Sequence, residues 1–525
     1  MKTGVFAPLG LVALGIYLTA VLMISWISRR PWPTSNDYLN ASHSLPLWAA
    51  TLSFLAYNCG SIEVIGMSAM AAQYGVQALH FYWIGGIPGM VFMSIVVLPV
   101  YMRTGARSLP EYLGLRFGKR MRLLNAILVM VGTLSYAGVA LYTVAQVLHV
   151  LLGWTFLAGG LVCAAIVLVY VLIGGVRASL FTSIFQLVVL ICGLAPLLFM
   201  TVHFNAATWA VRPERWHLWK HLPFLSPRAP LDQIGVVIGL GFVISFSYWC
   251  TDFVMIQRAL TARSVEDARR VPLLAGFGKL AIAFLVVLPG VAAPSLLGTG
   301  TPFDQTMPAL MALKYGPLLL ALGAAALLAG LMAWLAGNVS GFSALWVEEI
   351  YRCRLVPHRS ELHYIRMGRL CVPICLLIAQ VMAYATFYFR DMMELLQLIV
   401  ALLYAPVFAA VLAAVASKRT SQRGAMMGVC AGVISGIALQ SASWMHILHF
   451  GSQMAANFYT AVLSFSAALA GCGLWREQHP EIVRQQAGSV APESLARTSI
   501  CPTPGLVALS ITLLAACLLL NVLWW

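Results

Sequence analysis

Runs of about twenty apolar residues recur along the whole chain, and they decide its fold class. A helix needs ~20 such residues to cross the hydrocarbon core of a bilayer. Fourteen stretches reach that length, near 5–27, 46–74, 79–102, 123–151, 155–173, 180–201, 234–257, 271–297, 317–347, 367–389, 392–416, 425–443, 454–474 and 505–525. Strands of a membrane barrel alternate polar and apolar residues over ~10 positions, and these runs do not alternate. The chain therefore reads as an all-α polytopic membrane protein with about 14 transmembrane helices. The first stretch is too long for a signal-peptide core and has no small-residue cleavage pattern, so it reads as a retained span.

Charge supports this and sets an orientation. Of 525 residues, 9% are charged, against ~25% in soluble domains. So few charges cannot cover the surface of a soluble enzyme, and a disordered chain is excluded by the 61% apolar content. The net charge of +15 would suit a nucleic-acid binder, but its placement does not. With both termini outside, 24 of the 32 Lys and Arg residues fall on the inner side, seven outside, and Lys279 within a span. That is the positive-inside asymmetry of a cytoplasmic-membrane protein, and no loop offers the basic, aromatic face that nucleic acid needs. The longer outer loops near 202–233, 298–316 and 444–453 hold no cysteine, so a disulfide framework is not expected. No GxxxxGK[ST], HExxH or CxxC pattern occurs, so neither nucleotide-driven pumping nor a motif-bearing metal site is indicated. Transport driven by an ion gradient, or facilitated flow, remains.

Against so apolar a background the polar residues inside spans carry information. Tyr57-Asn58-Cys59-Gly60-Ser61 interrupts the second span at its middle, and Glu63 follows directly. Irregular backbone at that depth is tolerated where it lines a cavity. An acidic side chain there costs several kcal/mol unless it faces a cavity or a partner. Glu63 is thus a candidate proton carrier or counter-ion for a cationic solute. Lys279, about eight residues into the eighth span, is the second buried charge and a potential partner for Glu63. The seventh span carries Ser245-Phe246-Ser247-Tyr248 at a similar depth.

Four local patterns carry a resemblance. Asp37-Tyr38-Leu39 with Ser44-Leu45-Pro46 is similar to a DYxxAGRSLP entry motif. Arg107-Ser108-Leu109-Pro110-Glu111-Tyr112-Leu113, with Arg116-Phe117-Gly118, is similar to an RSLPEYLxxRFG loop. Gly174-Gly175-Val176-Arg177-Ala178, with Thr182 and Gln186, is similar to GGxxAVxxTDxxQ. Ser247-Tyr248-Trp249-Cys250-Thr251-Asp252, then Ile256-Gln257-Arg258-Ala259-Leu260, resembles YWCTDQxxxQRxL. In this order they resemble the sodium:solute symporter family, nearest to its sugar-transporting branch, from about residue 35 to about 440.

The resemblance implies a LeuT-like fold of two inverted five-helix repeats with discontinuous helices and a solute site at midmembrane. It divides the chain into a first helix and linker (1–45), the first repeat (46–201), an outer loop (202–233), the second repeat (234–417), two accessory helices (418–474), a cytoplasmic linker (475–504) and a final helix (505–525). It places Glu63, Phe81, Tyr82, Gly85, Ser245, Lys279 and Gln397 around the solute, with Tyr248 and Trp249 as an inner gate. Glu63 stands where sugar symporters carry Gln or His, and Tyr82 and Gly85 also depart from a standard sugar pocket. A cation site is implied at the backbone carbonyls of Ala56, Cys59 and Gly330. Its two hydroxyl ligands are replaced by Ala333 and Trp334, and a nearby Asp by Ser183; Ser340 and Ser343 lie a turn or more further on. The usual sodium site is thus expected to be degraded.

The expected function is secondary active, cation-coupled symport of a small polar organic solute, sugar-like or cationic to zwitterionic, with sodium as the candidate ion at its degraded site and no organic cofactor. The alternatives are proton-coupled or uncoupled transport, and a transporter-like solute receptor. A membrane enzyme has no nucleophile–base set to support it. His446 and His449 read as a solvated turn, Cys371 and Cys375 as packing, and Asn338-Val339-Ser340 as a glycosylation triplet without meaning inside a span.

Overall fold

The computed structural model describes residues 8–28, 45–106, 108–201, 213–298, 300–417, 419–475 and 501–525. The first motif of the resemblance, up to Ser44, Arg107 of the second, and most of the 475–504 linker lie outside these residues. Helices dominate; the one extended pairing among the described residues is an isolated bridge between Leu45 and Ala262.

The first helix, α1, is Pro8–Ser28. The second apolar stretch is broken into α2 (Leu47–Asn58) and α3 (Ser61–Tyr74). Gly60 between them is extended, with φ −71° and ψ 176°. A Cβ there would lie 2.9 Å from the carbonyl oxygen of Gly330 and 3.5 Å from that of Ala56. The glycine thus lets the break press against a neighbouring backbone. The chain continues through α4 (Leu79–Trp83), α5 (Ile87–Phe92), α6 (Leu98–Thr104) and α7 (Leu109–Phe117). Two long helices follow, α8 (Lys119–Leu152) and α9 (Phe156–Thr201). The two stretches expected at 155–173 and 180–201 are joined in α9 without a helical break, because the short Gly174–Arg177 link keeps helical backbone.

The second half repeats the broken design. A π-helical run, Gly235–Ile244, leads into α10 (Ser245–Thr251), and α11 (Phe253–Leu260) follows at a bend of 57°. Asp252 makes the bend: its extended backbone ends α10, and its carboxylate accepts a hydrogen bond from Met255 N at 2.8 Å, capping α11. The two broken helices stand five spans apart in the sequence, the spacing that two five-helix repeats require. The remaining helices are α12 (Val265–Leu297), α13 (Thr306–Lys314), α14 (Pro317–Leu345), α15 (Glu361–Ala383), α16 (Met392–Ile399), α17 (Ala405–Ala416), α18 (Gln422–Trp444), α19 (Gln453–Leu474) and α20 (Pro504–Leu523).

Helix α14 forms the centre, buried along nearly all of Leu320–Leu345. Its Ala and Gly residues let neighbouring backbones approach, which is how helices associate without a hydrophobic drive between them. Helix α20 buries just one stripe, Leu506, Ser510, Leu513, Cys517 and Asn521, and leaves the rest apolar and exposed. Its end accepts hydrogen bonds from Leu218 N and Trp219 N, while Thr503 at its start meets Glu266. The C-terminus therefore shares a side with the 216–219 segment, opposite Glu266.

Eleven helices among the described residues are long and apolar enough to cross a membrane, twelve if the bent pair is one span. Helix α1, apolar over its 21 residues, is not among them, and the stretches expected at 46–74 and 79–102 fall in one 42-residue segment, Glu63–Thr104. Two basic residues counted in inner loops are buried in helices instead: Arg258 in α11 and Arg269 in α12. All eleven cysteines are free.

Candidate functional site

A cavity lies against the first helix break and α10; the space inside it, open mouth included, is about 770 Å³. All nine residues expected around a solute, Glu63, Phe81, Tyr82, Gly85, Ser245, Tyr248, Trp249, Lys279 and Gln397, line it.

Glu63 lies in the first turn of α3, where the positive end of the helix dipole favours a carboxylate. Lys279 reaches it from the middle of α12. Its ammonium donates to Glu63 Oε1 at 2.7 Å, to Oε2 at 2.9 Å and to Asn58 Oδ1 at 2.6 Å. It also lies 4.8 Å from the Tyr82 ring centroid and 5.6 Å from that of Trp249. Side-chain exposure is 6% for Lys279 and 12% for Glu63, so the pair is largely desolvated. A buried pair of this kind holds when remaining protons and lone pairs are also met, and Asn58 and the two rings do that. Gly86 makes room: a Cβ there would come within 2.9 Å of Lys279 Cε.

The remaining wall is aromatic with a few open polar groups. The Trp249 indole donates to the Gly85 carbonyl at 3.3 Å, tying α10 to the α4–α5 turn. Tyr248 stands edge-on to Trp249, with ring centroids 5.3 Å apart. Tyr136 packs on Trp334 at 5.2 Å and on Tyr404 at 5.8 Å. The Ser245 hydroxyl and the Gln397 carbonyl are buried with no hydrogen-bond partner among the described residues. Buried polar atoms are rarely left so, and both residues line the cavity.

Sequence reasoning missed Asn58, Tyr57, Tyr136 and Trp334 as lining residues. Asn58 had a usable signal, an amide at the helix break itself. Tyr136 had none, since an aromatic on a long apolar helix reads as packing. In the sequence Trp334 reads as a lost hydroxyl; in the structure its residue is part of the cavity wall.

At the cation position the carbonyls of Ala56 and Gly330 converge on Gly60, and the Cys59 amide closes on the Leu55 carbonyl. Ala333 contributes a methyl group, and the Trp334 carbonyl accepts from Asn338 Nδ2 at 3.0 Å. Ser343 is committed to the Gly368 carbonyl at 2.8 Å, whereas the buried Ser340 hydroxyl has no partner among the described residues. Ser183 donates to the Ser179 carbonyl at 2.6 Å and faces the Arg258 guanidinium at 3.4 Å. That guanidinium also donates to the Ser53 carbonyl at 2.9 Å and hydroxyl at 2.6 Å. The Ala56 and Gly330 carbonyl oxygens thus lie near each other beside Gly60, and the side chains around them supply few further oxygens.

A sodium/glucose cotransporter of Vibrio parahaemolyticus is 27% identical over 407 residues, covering 71% of this chain and 74% of that protein. Sodium/glucose cotransporter 4 of Danio rerio is 27% identical over 304 residues, covering 54% of this chain and 46% of that protein. The chain thus spans about half the length of this longer relative. Among solved structures, a substrate-bound, outward-open Na+-coupled sialic acid symporter superposes with a TM-score of 0.75 at 18% identity, covering 90% of this chain and all of that one. At that identity the likeness speaks for the fold, and the fold is that of an inverted-repeat transporter. The family profile of sodium:solute symporters matches residues 38–432, and the chain belongs to the sodium:solute symporter family.

Proposed function

We propose that this chain is a secondary active symporter that carries a small, uncharged, polyhydroxylated solute of the sugar class across the cytoplasmic membrane by alternating access. One observation carries the reading: Glu63 and Lys279 neutralise each other inside the cavity. An unpaired Glu63 would favour a cationic solute and an unpaired Lys279 an anionic one; the pair favours neither. What remains suits a sugar. The Trp249, Tyr82 and Trp334 rings offer apolar faces, and Glu63, Ser245 and Gln397 offer acceptors for hydroxyl groups. Tyr248 and Trp249 would close the cavity toward the inside, with both termini outside.

The test is counterflow in proteoliposomes loaded with unlabelled glucose, galactose, choline or acetate in turn. Exchange of labelled neutral sugar, with none for choline or acetate, is expected. Exchange of a charged compound alone would overturn the solute class, and binding without any exchange would favour a receptor.

A second reading concerns the driving ion. The family name and the relatives' names point to sodium, and the Ala56 and Gly330 carbonyls are compatible with it. Ala333, Trp334 and the inward-turned Ser183 favour proton-coupled or uncoupled movement instead. Uptake under a sodium gradient, then under a pH gradient, separates these: accumulation under the sodium gradient alone would remove the proton reading.

A further inference from the structure

A second group of buried acids lies away from the solute cavity. Asp304, in the loop between α12 and α13, meets Asp391 and Glu394 at the start of α16, and the three are 5%, 1% and 3% exposed. Asp304 Oδ1 accepts from Met392 N at 3.2 Å, and its Oδ2 accepts from the Tyr142 hydroxyl at 3.1 Å. One carboxylate thus ties the loop to both α16 and α8. Asp391 Oδ1 caps α16 through Glu394 N at 3.1 Å, and Glu394 Oε2 accepts from Arg390 N at 3.1 Å. Asp391 Oδ2 is buried and has no hydrogen-bond partner among the described residues.

Charge does not balance here. The groups facing the cluster are Tyr142 from α8, Tyr74 from α3 and Arg390 before α16. Arg390 is the cation among them. Its guanidinium lies over the Phe303 ring, 4.9 Å from the centroid, and forms no ion pair with the three acids. Full ionisation would leave two uncompensated negative charges in a buried space, which desolvation and like-charge repulsion oppose. Burial and the neighbouring Asp391 push Asp304 up to about 7, and burial pushes Asp391 up to about 6. A proton on the bare Asp391 Oδ2, or shared with Asp304, relieves both penalties.

The cluster lies one residue behind an open cavity on the side that carries the C-terminus: Phe303 and Arg390, the sequence neighbours of Asp304 and Asp391, wall it together with Gln73, Arg215 and Thr306. On the other side, α16 carries Met393, Leu396 and Gln397 into the solute cavity, so Glu394 sits one helical turn from Gln397.

We propose that Asp304, Asp391 and Glu394 form a proton-binding clasp: with a proton bound it holds the 300–305 segment that leads into α13 on α16, and without one it lets that segment lift. The step is protonation of one carboxylate to the acid and its reversal. The ligand is the proton itself, and the clasp does not depend on which solute is carried.

Infrared difference spectroscopy of the full chain in liposomes, titrated between about pH 5 and 9, reads the proton directly. The wild type should lose a protonated-carboxyl band as pH rises through about 6 to 7, and an Asp304→Asn, Asp391→Asn double variant should lack that change. Glu394→Gln, which removes one charge and keeps the acceptor, should shift it. An identical band change in a folded double variant would overturn the proposal. Hydrogen exchange on the wild type needs no variant: protection of the 300–316 segment, corrected for intrinsic pH dependence, should fall across the same range. Constant protection would also overturn it.

Discussion

Lys279 Nζ lies 2.7 Å from Glu63 Oε1 and 2.9 Å from Glu63 Oε2, joining the unbroken helix α12 to the first turn after a helix break. This pair makes the solute cavity electrically neutral while keeping strong donors and acceptors in it. Because Asn58 accepts a third hydrogen bond from the same ammonium, all three Lys279 ammonium protons are engaged by protein oxygens. A solute hydroxyl can then engage Glu63 without freeing a charge.

Glu63→Gln should abolish transport and destabilise the protein by about 3 kcal/mol, because it leaves a buried ammonium without its counter-charge. The paired change Glu63→Gln with Lys279→Met removes both charges and should recover most of that stability without restoring transport. Thermal unfolding in detergent alongside uptake checks this; unchanged stability in Glu63→Gln would show that the pair does not hold in the membrane.

Ser245→Ala should leave folding intact, since the hydroxyl has no protein partner. If that oxygen serves the solute, its loss should raise KM about 2- to 10-fold, the size of one neutral hydrogen bond, with kcat little changed. Initial-rate uptake against solute concentration measures it.

Gly60→Ala should stop transport while leaving helix content by circular dichroism near the wild-type value. The added Cβ would sit 2.9 Å from the Gly330 carbonyl oxygen, closer than real Cβ atoms come, and that oxygen is backbone. The break would have to move off α14 by a few tenths of an ångström, distorting both the cation carbonyls and the position of Glu63. Wild-type uptake from this variant would contradict the close contact.

Much of this was legible because charges are scarce. Glu63 and Lys279 stand out in apolar spans, and Gly60 marks the break in the sequence itself. Span counting was less sharp, since the stretches 46–74 and 79–102 follow each other in one segment, Glu63–Thr104. The clasp was illegible: Asp304, Asp391 and Glu394 fall at span ends, where acids are ordinarily solvated, and only the folded loop buries them together. Tyr136 and Trp334 were hidden for the converse reason, as cavity-lining rings have the same periodicity as packed ones.

Thermal stability should fall with rising pH through the clasp. The protonated forms of Asp304 and Asp391 are favoured in the folded protein, so the stability they contribute is whole below the ordinary aspartate value of 3.8 and is lost as pH rises through about 6 to 7. The slope should be shallower in the Asp304→Asn, Asp391→Asn double variant. Parallel melting curves from about pH 5 to 8 would show the two acids to be ordinary.

The central claim is that a neutral sugar is carried and accumulated. The direct measurement is uptake of labelled galactose into proteoliposomes under an imposed sodium gradient and, separately, an imposed pH gradient. The account predicts accumulation above the outside concentration under at least one gradient, and none with Lys279→Ala. Galactose that binds but never accumulates, or merely equilibrates under both gradients, would contradict it.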